Sequence, residues 1–471
     1  VLIGACLIGL CIFGIRGRTG YNPIKVSAAY FCQDAFLNQL GVSPTFNLLT
    51  SVMDDMRPEN KYLHLMDEQE AITKAQALLN RPGDANVSPL AVYRHAAKAD
   101  SVQQRRPNVV LIMMESMSAK FMKHFGQSET LTPFLDSLYT RSISFRNFYS
   151  AGIHTNHGLY ATLYSFPAMM KRNLMKGSVI PRYSGLPTVL KENGYYNLFF
   201  MTHEGQYDNM NAFFRTNGYD EVFSQENYPA DKVVNSFGVQ DDFLYDYAIP
   251  VLNQRAATGQ PFFATLLSIS NHPPYVIPPF FHPKTSEPET QIVEYADWAL
   301  RQFFEEARKQ PWFDNTIFVL EGDHGKLVGD AECELPESYN HIPLMIYSSR
   351  IQPEEKTTFG GQVDIQPTIL GLLNIDYLQN NFGVDLLKEE RPCMFYTADN
   401  MVVGRNDTLL YLYNYETQQE LTYDIGNGKL NAVPMDDSFL PLKEYSFSML
   451  QSAEFLVKHG KTLNSIPFTQ Q

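Results

Sequence analysis

Three short apolar runs, each closed by polar residues, constrain this chain more than any other feature: Asn108–Met114 (NVVLIMM), 261–269 (PFFATLLSI) and 316–320 (TIFVL). Their apolar character is continuous rather than alternating, as a strand covered on both faces by helices requires. Amphipathic stretches separate them. From Arg106-Pro107 onward the texture is that of βα units around a largely parallel sheet, which predicts an α/β fold. The runs end at Glu115-Ser116, Ser270-Asn271-His272 and Glu321-Gly322-Asp323-His324. Open parallel sheets bind ligands beyond the carboxyl ends of their strands, so these polar groups are expected to meet in one crevice.

The flanks read differently. Residues 1–15 carry no charge, and as a helix they would cover roughly 22 Å, short of the roughly 30 Å hydrocarbon core. Residues 1–16 are therefore read as the C-terminal part of a transmembrane helix. A signal-peptide core is the rival reading, but no small-residue cleavage site follows and Arg16 and Arg18 end the run. Taken alone, those arginines favour a cytoplasmic flank. Residues 17–105 read as a helical juxtamembrane connector, in which Glu68–Leu79 (EQEAITKAQALL) has helical periodicity before the Arg81-Pro82-Gly83 break. Residues 106–380 form the expected catalytic domain. The last part, 381–471, reads as a small antiparallel element, with a hairpin from 408–415 (TLLYLYNY) and 420–425 (ELTYDI), followed by a helix over 444–458.

At 471 residues the chain has room for one large α/β domain with extensions. Its formal net charge of -14 argues against nucleic acid as a partner, since no basic stripe exists to displace counterions from phosphates. The bulk surface is likewise unsuited to anionic lipid. Five cysteines show neither a CxxC pair nor metal-ligand spacing, and their number neither requires nor excludes an oxidising compartment.

At the strand ends, Glu115, Asp323 and His324 supply two carboxylates and an imidazole, a set that can hold one divalent cation such as Mn²⁺, Mg²⁺ or Zn²⁺. A fourth ligand is offered by Thr155 in 151–158 (AGIHTNHG), where a helix is expected to begin. There its hydroxyl would sit at the positive end of the helix, and a bound cation would make it a nucleophile. Each piece has a plainer reading. Asp-His pairs are common, Thr before a helix is usually an N-cap, and Glu115 is equally suited to capping. Joint ligation is the better account because carboxylates and imidazole placed just after buried strands are costly without a partner. His272, in 268–275 (SISNHPPY), is a candidate general acid or phosphate donor, against the reading of a satisfied loop histidine. His203, in MTHEG after 197–200, shares the strand-end position and is a candidate substrate contact. His154 and His157 flank Thr155 as secondary candidates, and His341 could start a strand or reach the site.

These residues resemble the alkaline phosphatase and sulfatase superfamily, specifically its lipoteichoic acid synthase and phosphoglycerol transferase branch. The matching segments run in family order from NVVLIMMES through GIHTNHGLYATLYSFP, GYDEVF, SISNHPPY, YADWALRQFF and TIFVLEGDHG to QVDIQPTILGLL. The resemblance implies a sulfatase-like sandwich with a central, mostly parallel sheet flanked by helices. It implies that Glu115, Thr155, Asp323 and His324 hold the metal, with manganese the leading choice, and that Thr155 becomes phosphorylated. It also implies that His272 contacts the substrate, while His203, His157 and Arg215 are the further candidate substrate contacts. The implied reaction moves a phospho-head-group from a membrane phospholipid to a glycan or lipid acceptor, at the extracytoplasmic face of a bacterial cytoplasmic membrane. Lipoteichoic acid synthases grip glycerol phosphate with Arg and Trp after their counterpart of His203. Here 205–215 (GQYDNMNAFFR) has no Trp, and Arg215 is displaced toward the GYD motif. The Cys or Ser followed by x-Pro-x-Arg of formylglycine sulfatases is absent around Thr155, which disfavours sulfate ester hydrolysis. A metal-dependent phosphodiesterase or related hydrolase, and a phosphoethanolamine transferase, are the alternatives.

Overall fold

All three apolar runs are strands, and they lie side by side at the centre of one eight-stranded sheet. The computed structural model describes residues 2–18, 23–32, 35–57, 60–79, 92–96, 106–177 and 180–464. The Arg81-Pro82-Gly83 break falls outside them.

The chain opens with helices α1 (Leu2–Arg16), α2 (Ala35–Leu40), α3 (Pro44–Asp55) and α4 (Glu68–Leu79), then strand β1 (Tyr93–Ala96). The first half of the central unit comprises β2 (Asn108–Met114), α5 (Pro133–Tyr139), β3 (Ile143–Tyr149), α6 (Thr155–Tyr164), α7 (Leu186–Glu192) and β4 (Tyr196–Met201). It continues through α8 (Met210–Thr216), β5 (Glu221–Phe223), α9 (Asp241–Ala256), β6 (Phe262–Leu267) and α10 (Pro288–Ala307). β7 (Thr316–Gly322), β8 (Leu344–Tyr347), β9 (Glu354–Gly361), α11 (Ile365–Leu372) and β10 (Tyr377–Asn380) follow. Last come β11 (Met394–Thr397), β12 (Met401–Arg405), β13 (Leu409–Asn414), β14 (Gln419–Asp424), β15 (Asn431–Ala432) and α12 (Leu440–Lys458).

The large sheet has the order β5-β4-β6-β2-β7-β8-β3-β9, and only β8 runs against its neighbours. β2 shows why its sequence is apolar without interruption. Val110, Ile112 and Met114 enter a core with residues of α5, α9 and α10, whereas Val109, Leu111 and Met113 enter a second core on the opposite face. Alternate side chains thus leave water in both directions, at about 25 cal/mol per Å² of apolar surface. The second core also takes in α6, α7, α8, α11 and the C-terminal strands with α12. A five-stranded antiparallel sheet, β11-β12-β13-β14-β15, therefore closes that face, with the expected hairpin as its β13–β14 pair.

Four elements differ from their sequence reading, the first being β6, which ends at Leu267 rather than at 269. The connector is not wholly helical, since β1 pairs antiparallel with β10 at the domain edge. The pairing is fixed by tertiary contacts, chiefly the buried Arg94, which donates to the carbonyls of Leu79 (2.8 Å) and Gly383. The final helix begins four residues earlier than expected, with Pro441 in its first turn, where a missing N–H costs nothing. β7 runs two residues further than predicted and carries Glu321 into the core. Among the described residues no helix is long and apolar enough to cross a membrane. α1 is apolar and exposed over its length.

Candidate active site

The parallel register places the ends of β2 and β7 together, with Met114 opposite Gly322, so the residues that follow emerge side by side. Glu115 and Asp323 are both buried there. Ser116 takes a left-handed conformation at φ 50°, a strained state for a non-glycine residue that needs support from its surroundings. Its N–H donates to Asp323 Oδ1 at 2.8 Å and its hydroxyl donates to Glu115 Oε1 at 2.7 Å. The amide of Asn271, from the end of β6, donates to the carbonyls of Glu115 and Ser116 at 3.2 and 3.1 Å. Three strand ends are thereby tied into one rigid turn.

Thr155 arrives from the other side as the first residue of α6, and its hydroxyl donates to Glu115 Oε2 at 3.3 Å. The approach is close because Gly158 has no Cβ, which would lie 2.2 Å from the Asp323 carbonyl. Gln362 reinforces the contact by donating to that carbonyl at 2.7 Å while accepting from the Ala151 N–H at 2.8 Å. His324 Nδ1 donates to the Gly325 carbonyl at 2.7 Å, which leaves Nε2 with a lone pair, 3.6 Å from Asp323 Oδ2 and 3.8 Å from Glu115 Oε1. Such a second hydrogen bond is the usual way a ligating histidine is oriented.

Ligand atoms of Glu115, Asp323 and His324 all lie within 4.8 Å of one another. Burial raises the Glu115 pKa well above the usual carboxylate range, and the neighbouring Asp323 charge adds to the shift. Asp323 Oδ2 is buried with no hydrogen-bond partner. Two close carboxylates, an orphaned oxygen and an imidazole lone pair form a donor set that fits a divalent cation. The Thr155 hydroxyl stands beside it as a fourth donor.

The other predicted residues divide. His272 follows β6, and its Nδ1 donates to the Pro273 carbonyl at 2.6 Å while its ring lies 4.0 Å from that of Phe237. Burial lowers its pKa, and the charges it feels include Asp323, His324 and Lys326, so it borders the cluster. His157 is buried on α6 with neither ring nitrogen hydrogen-bonded, and burial, then His154 and His324, push its pKa far down. His154 is instead held at the surface by Asp399 at 2.6 Å. His203 follows β4, is buried, and packs 4.6 Å from the Tyr207 ring. Arg215 is not brought to the site. It bonds Asn211 at 2.8 Å and feels Glu221 and Tyr196, which open β5 and β4 at the amino ends of the strands. His341 accepts a place in the β3 edge, bridging Tyr149 and bonding the Arg146 carbonyl at 2.8 Å.

Sequence reasoning missed Lys326, Asn156 and Asp208. Lys326 Nζ donates to Asn271 Oδ1 at 2.5 Å and to the Tyr275 hydroxyl at 3.3 Å, and burial lowers its pKa to about 8. Its place two residues after His324, in GDHGK, is a signal that could have found it. Asn156, next to Thr155, donates to Asp208 at 3.3 Å, and nothing in the sequence links the two.

The sulfatase family profile matches residues 107–375, which include every ligand candidate. The chain belongs to the sulfatase family. Lipoteichoic acid synthase 1 of Bacillus subtilis (strain 168) is 25% identical to this sulfatase-family chain over 350 residues, 68% of this chain and 53% of that protein. The lipoteichoic acid synthase of Staphylococcus saprophyticus is 24% identical over 367 residues, 70% of this chain and 54% of that protein. The chain spans about half the length of the curated relatives it matches. Among solved structures, an alkaline phosphatase superfamily protein from Vibrio parahaemolyticus superposes with a TM-score of 0.75 at 26% identity, covering 85% of this chain and 98% of that one. A lipoteichoic acid synthase from Listeria monocytogenes gives 0.67 at 19% identity, covering 83% and 98%. The expected α/β architecture, a mostly parallel sheet flanked by helices with an added antiparallel sheet, is thus the alkaline phosphatase-like fold.

Proposed function

We propose that this chain is a metal-dependent phosphotransferase that moves a phosphoglycerol-type head group from a membrane phospholipid to a glycan or lipid acceptor through a phospho-threonine intermediate. The observation that carries the reading is the meeting of Glu115, Thr155, Asp323 and His324. Similarity to lipoteichoic acid synthases supports the head group and the donor. A membrane-anchored chain working on the outer face of a bacterial cytoplasmic membrane accords with the apolar α1.

A divalent cation held by Glu115, Asp323, His324 and the Thr155 hydroxyl, with Mn²⁺ the leading choice, would supply Lewis acidity and lower the hydroxyl pKa. Glu115, which accepts the Thr155 hydrogen bond, orients the oxygen and is positioned to take its proton. Thr155 Oγ1 then forms a bond to phosphorus as the bond to the diacylglycerol oxygen breaks. His272 borders the cluster and is placed to return a proton to that leaving oxygen. Bare N–H groups at the start of α6 and the Lys326 ammonium favour the negative charge of the phosphoryl group. In the second step an acceptor hydroxyl gives its proton to His272, restoring the form that entered the first step, and attacks the same phosphorus as Thr155 leaves, regaining its proton from Glu115.

Intact-protein and peptide mass spectrometry after incubation with phosphatidylglycerol vesicles and Mn²⁺ tests this. A glycerophosphoryl adduct on Thr155 is expected, discharged when acceptor is added. An unmodified Thr155 with continuing lipid turnover would remove the covalent intermediate, and release of free head group at one rate with and without acceptor would identify a hydrolase.

A further inference from the structure

α3 is turned inside out. Leu48, Leu49, Val52 and Met56, just past its end, are 65%, 61%, 50% and 77% exposed. At 100° per residue they share one continuous arc. The half-buried positions, Asn47, Thr50 and Ser51, are polar. A helix in water buries its apolar stripe, so this orientation asks for a non-aqueous partner. The exposed Phe31 and Leu40 add to the apolar character of the same connector, at 67% and 68%. The arc itself holds flexible aliphatic and thioether side chains, without the Trp, Tyr or Arg anchors that dominate protein interfaces.

Behind α3 lies a cavity of about 280 Å³ whose lining includes Ile24, Phe46 and Met53 with the cationic Lys25, Arg57 and Lys176. A lining that sets apolar side chains beside three basic ones, with Asn47, Thr50 and Asn209 among them, matches the chemistry of a phospholipid head and upper chain. Polar contacts also connect the cavity lining to the neighbour of the nucleophile. Lys176 pairs with Asp208 at 2.8 Å, and Asp208 accepts from Asn156, the neighbour of Thr155.

We propose that α3 lies in the surface of a lipid bilayer with Leu48, Leu49, Val52 and Met56 below the headgroups, and that the cavity behind it passes a phospholipid head toward Thr155. Docking stands on α3 alone. Only the passage to Thr155 rests on the transfer reading above.

The test uses the full chain carrying Val52→Trp, mixed with phosphatidylcholine vesicles containing brominated acyl chains, with and without phosphatidylglycerol. Relative to the parent, whose two tryptophans are Trp298 and Trp312, the added emission should shift to the blue and be quenched by the bromolipid. Water-like emission that bromolipid leaves unchanged would overturn the docking. A chain with Leu48, Leu49, Val52 and Met56 all changed to Ser should turn over vesicle-borne donor about tenfold more slowly while keeping the parent rate on a water-soluble short-chain donor. Equal rates on vesicles would overturn the passage. Absence of activity in the parent on both donors would sink the transfer reading and leave the fluorescence result to decide docking. Self-association of the parent without vesicles, abolished in the fourfold variant, would assign the face to a second copy and contradict the proposal.

Discussion

Asp364 and the Glu115–Asp323 pair are all removed from water, yet the fold treats them in opposite ways. Asp364 receives Arg391, whose Nε donates to Oδ2 at 2.9 Å, and also accepts from the Gly361 and Val384 N–H groups at 2.9 and 2.8 Å. Glu454 is matched likewise by Arg172 at 2.9 Å. Glu115 and Asp323 face each other, and among the described residues no ammonium or guanidinium is bonded to either, since the nearby Lys326 spends its hydrogen bonds on Asn271 and Tyr275. Asp364 and Glu454 are each matched by an arginine, whereas the Glu115–Asp323 pair has the arrangement that the proposed cation site requires. Under the proposed function, the contrast separates acids that hold the fold together from acids that do chemistry.

Exchanging the parts of these two centres should break the contrast in different currencies. The largest effect is expected at the nucleophile, where Thr155→Ala should reduce turnover of a labelled lipid donor by about 10⁴-fold or more with the fold intact, as removal of a covalent nucleophile does. A residual rate within tenfold of the parent would exclude a covalent role. At the matched centre, Arg391→Met leaves Asp364 buried and uncompensated. That should cost about 3–5 kcal/mol of stability in urea unfolding, without a direct effect on cation binding. Asp323→Asn should do the reverse. It removes one of two like charges, so the metal-free variant should be at least as stable as the parent. Saturation with Mn²⁺ at a hundredfold excess over its dissociation constant should add about 2.7 kcal/mol to the parent and little to the variant. Equal stabilisation of both chains would place the cation elsewhere.

The smallest effect concerns a matched carboxylate at the surface. Burial opposes ionisation of Glu337, but Arg405 and then His341 outweigh it and hold the pKa at about 2, against an ordinary 4.5. Its folded pKa is depressed, so its contribution is present above pH 4.5 and lost as pH falls from there through 2. Melting temperature followed over that range should fall less steeply for Glu337→Gln than for the parent.

Much of the centre was legible because strands covered on both faces have no other reading than unbroken apolar runs, and their ends mark where polar chemistry can gather. Glu115 follows such a run directly, and Asp323 and His324 lie three and four residues past the end of another. Thr155 was legible for a different reason, since it stands where a helix was expected to begin, whereas the close approach of Gly158 to the Asp323 backbone was not. Arg215 shows the limit. Its closeness to the GYD motif in sequence does not say which end of the sheet it faces, and α8 carries it to the amino end. Asp208 and Asn156 meet only through tertiary packing, across 52 positions of sequence. β1 was hidden because its partner, β10, lies far along the chain. The apolar positions of α3 are visible in the sequence, but periodicity alone reads such a stripe as facing a core rather than away from one.

The central claim is that one divalent cation sits among Glu115, Thr155, Asp323 and His324. Electron paramagnetic resonance titration of the metal-free chain with Mn²⁺ addresses it most directly. One tight site per chain is expected, lost in both Asp323→Ala and His324→Ala while urea unfolding of each variant stays cooperative. Undiminished Mn²⁺ affinity in those two variants would contradict the account.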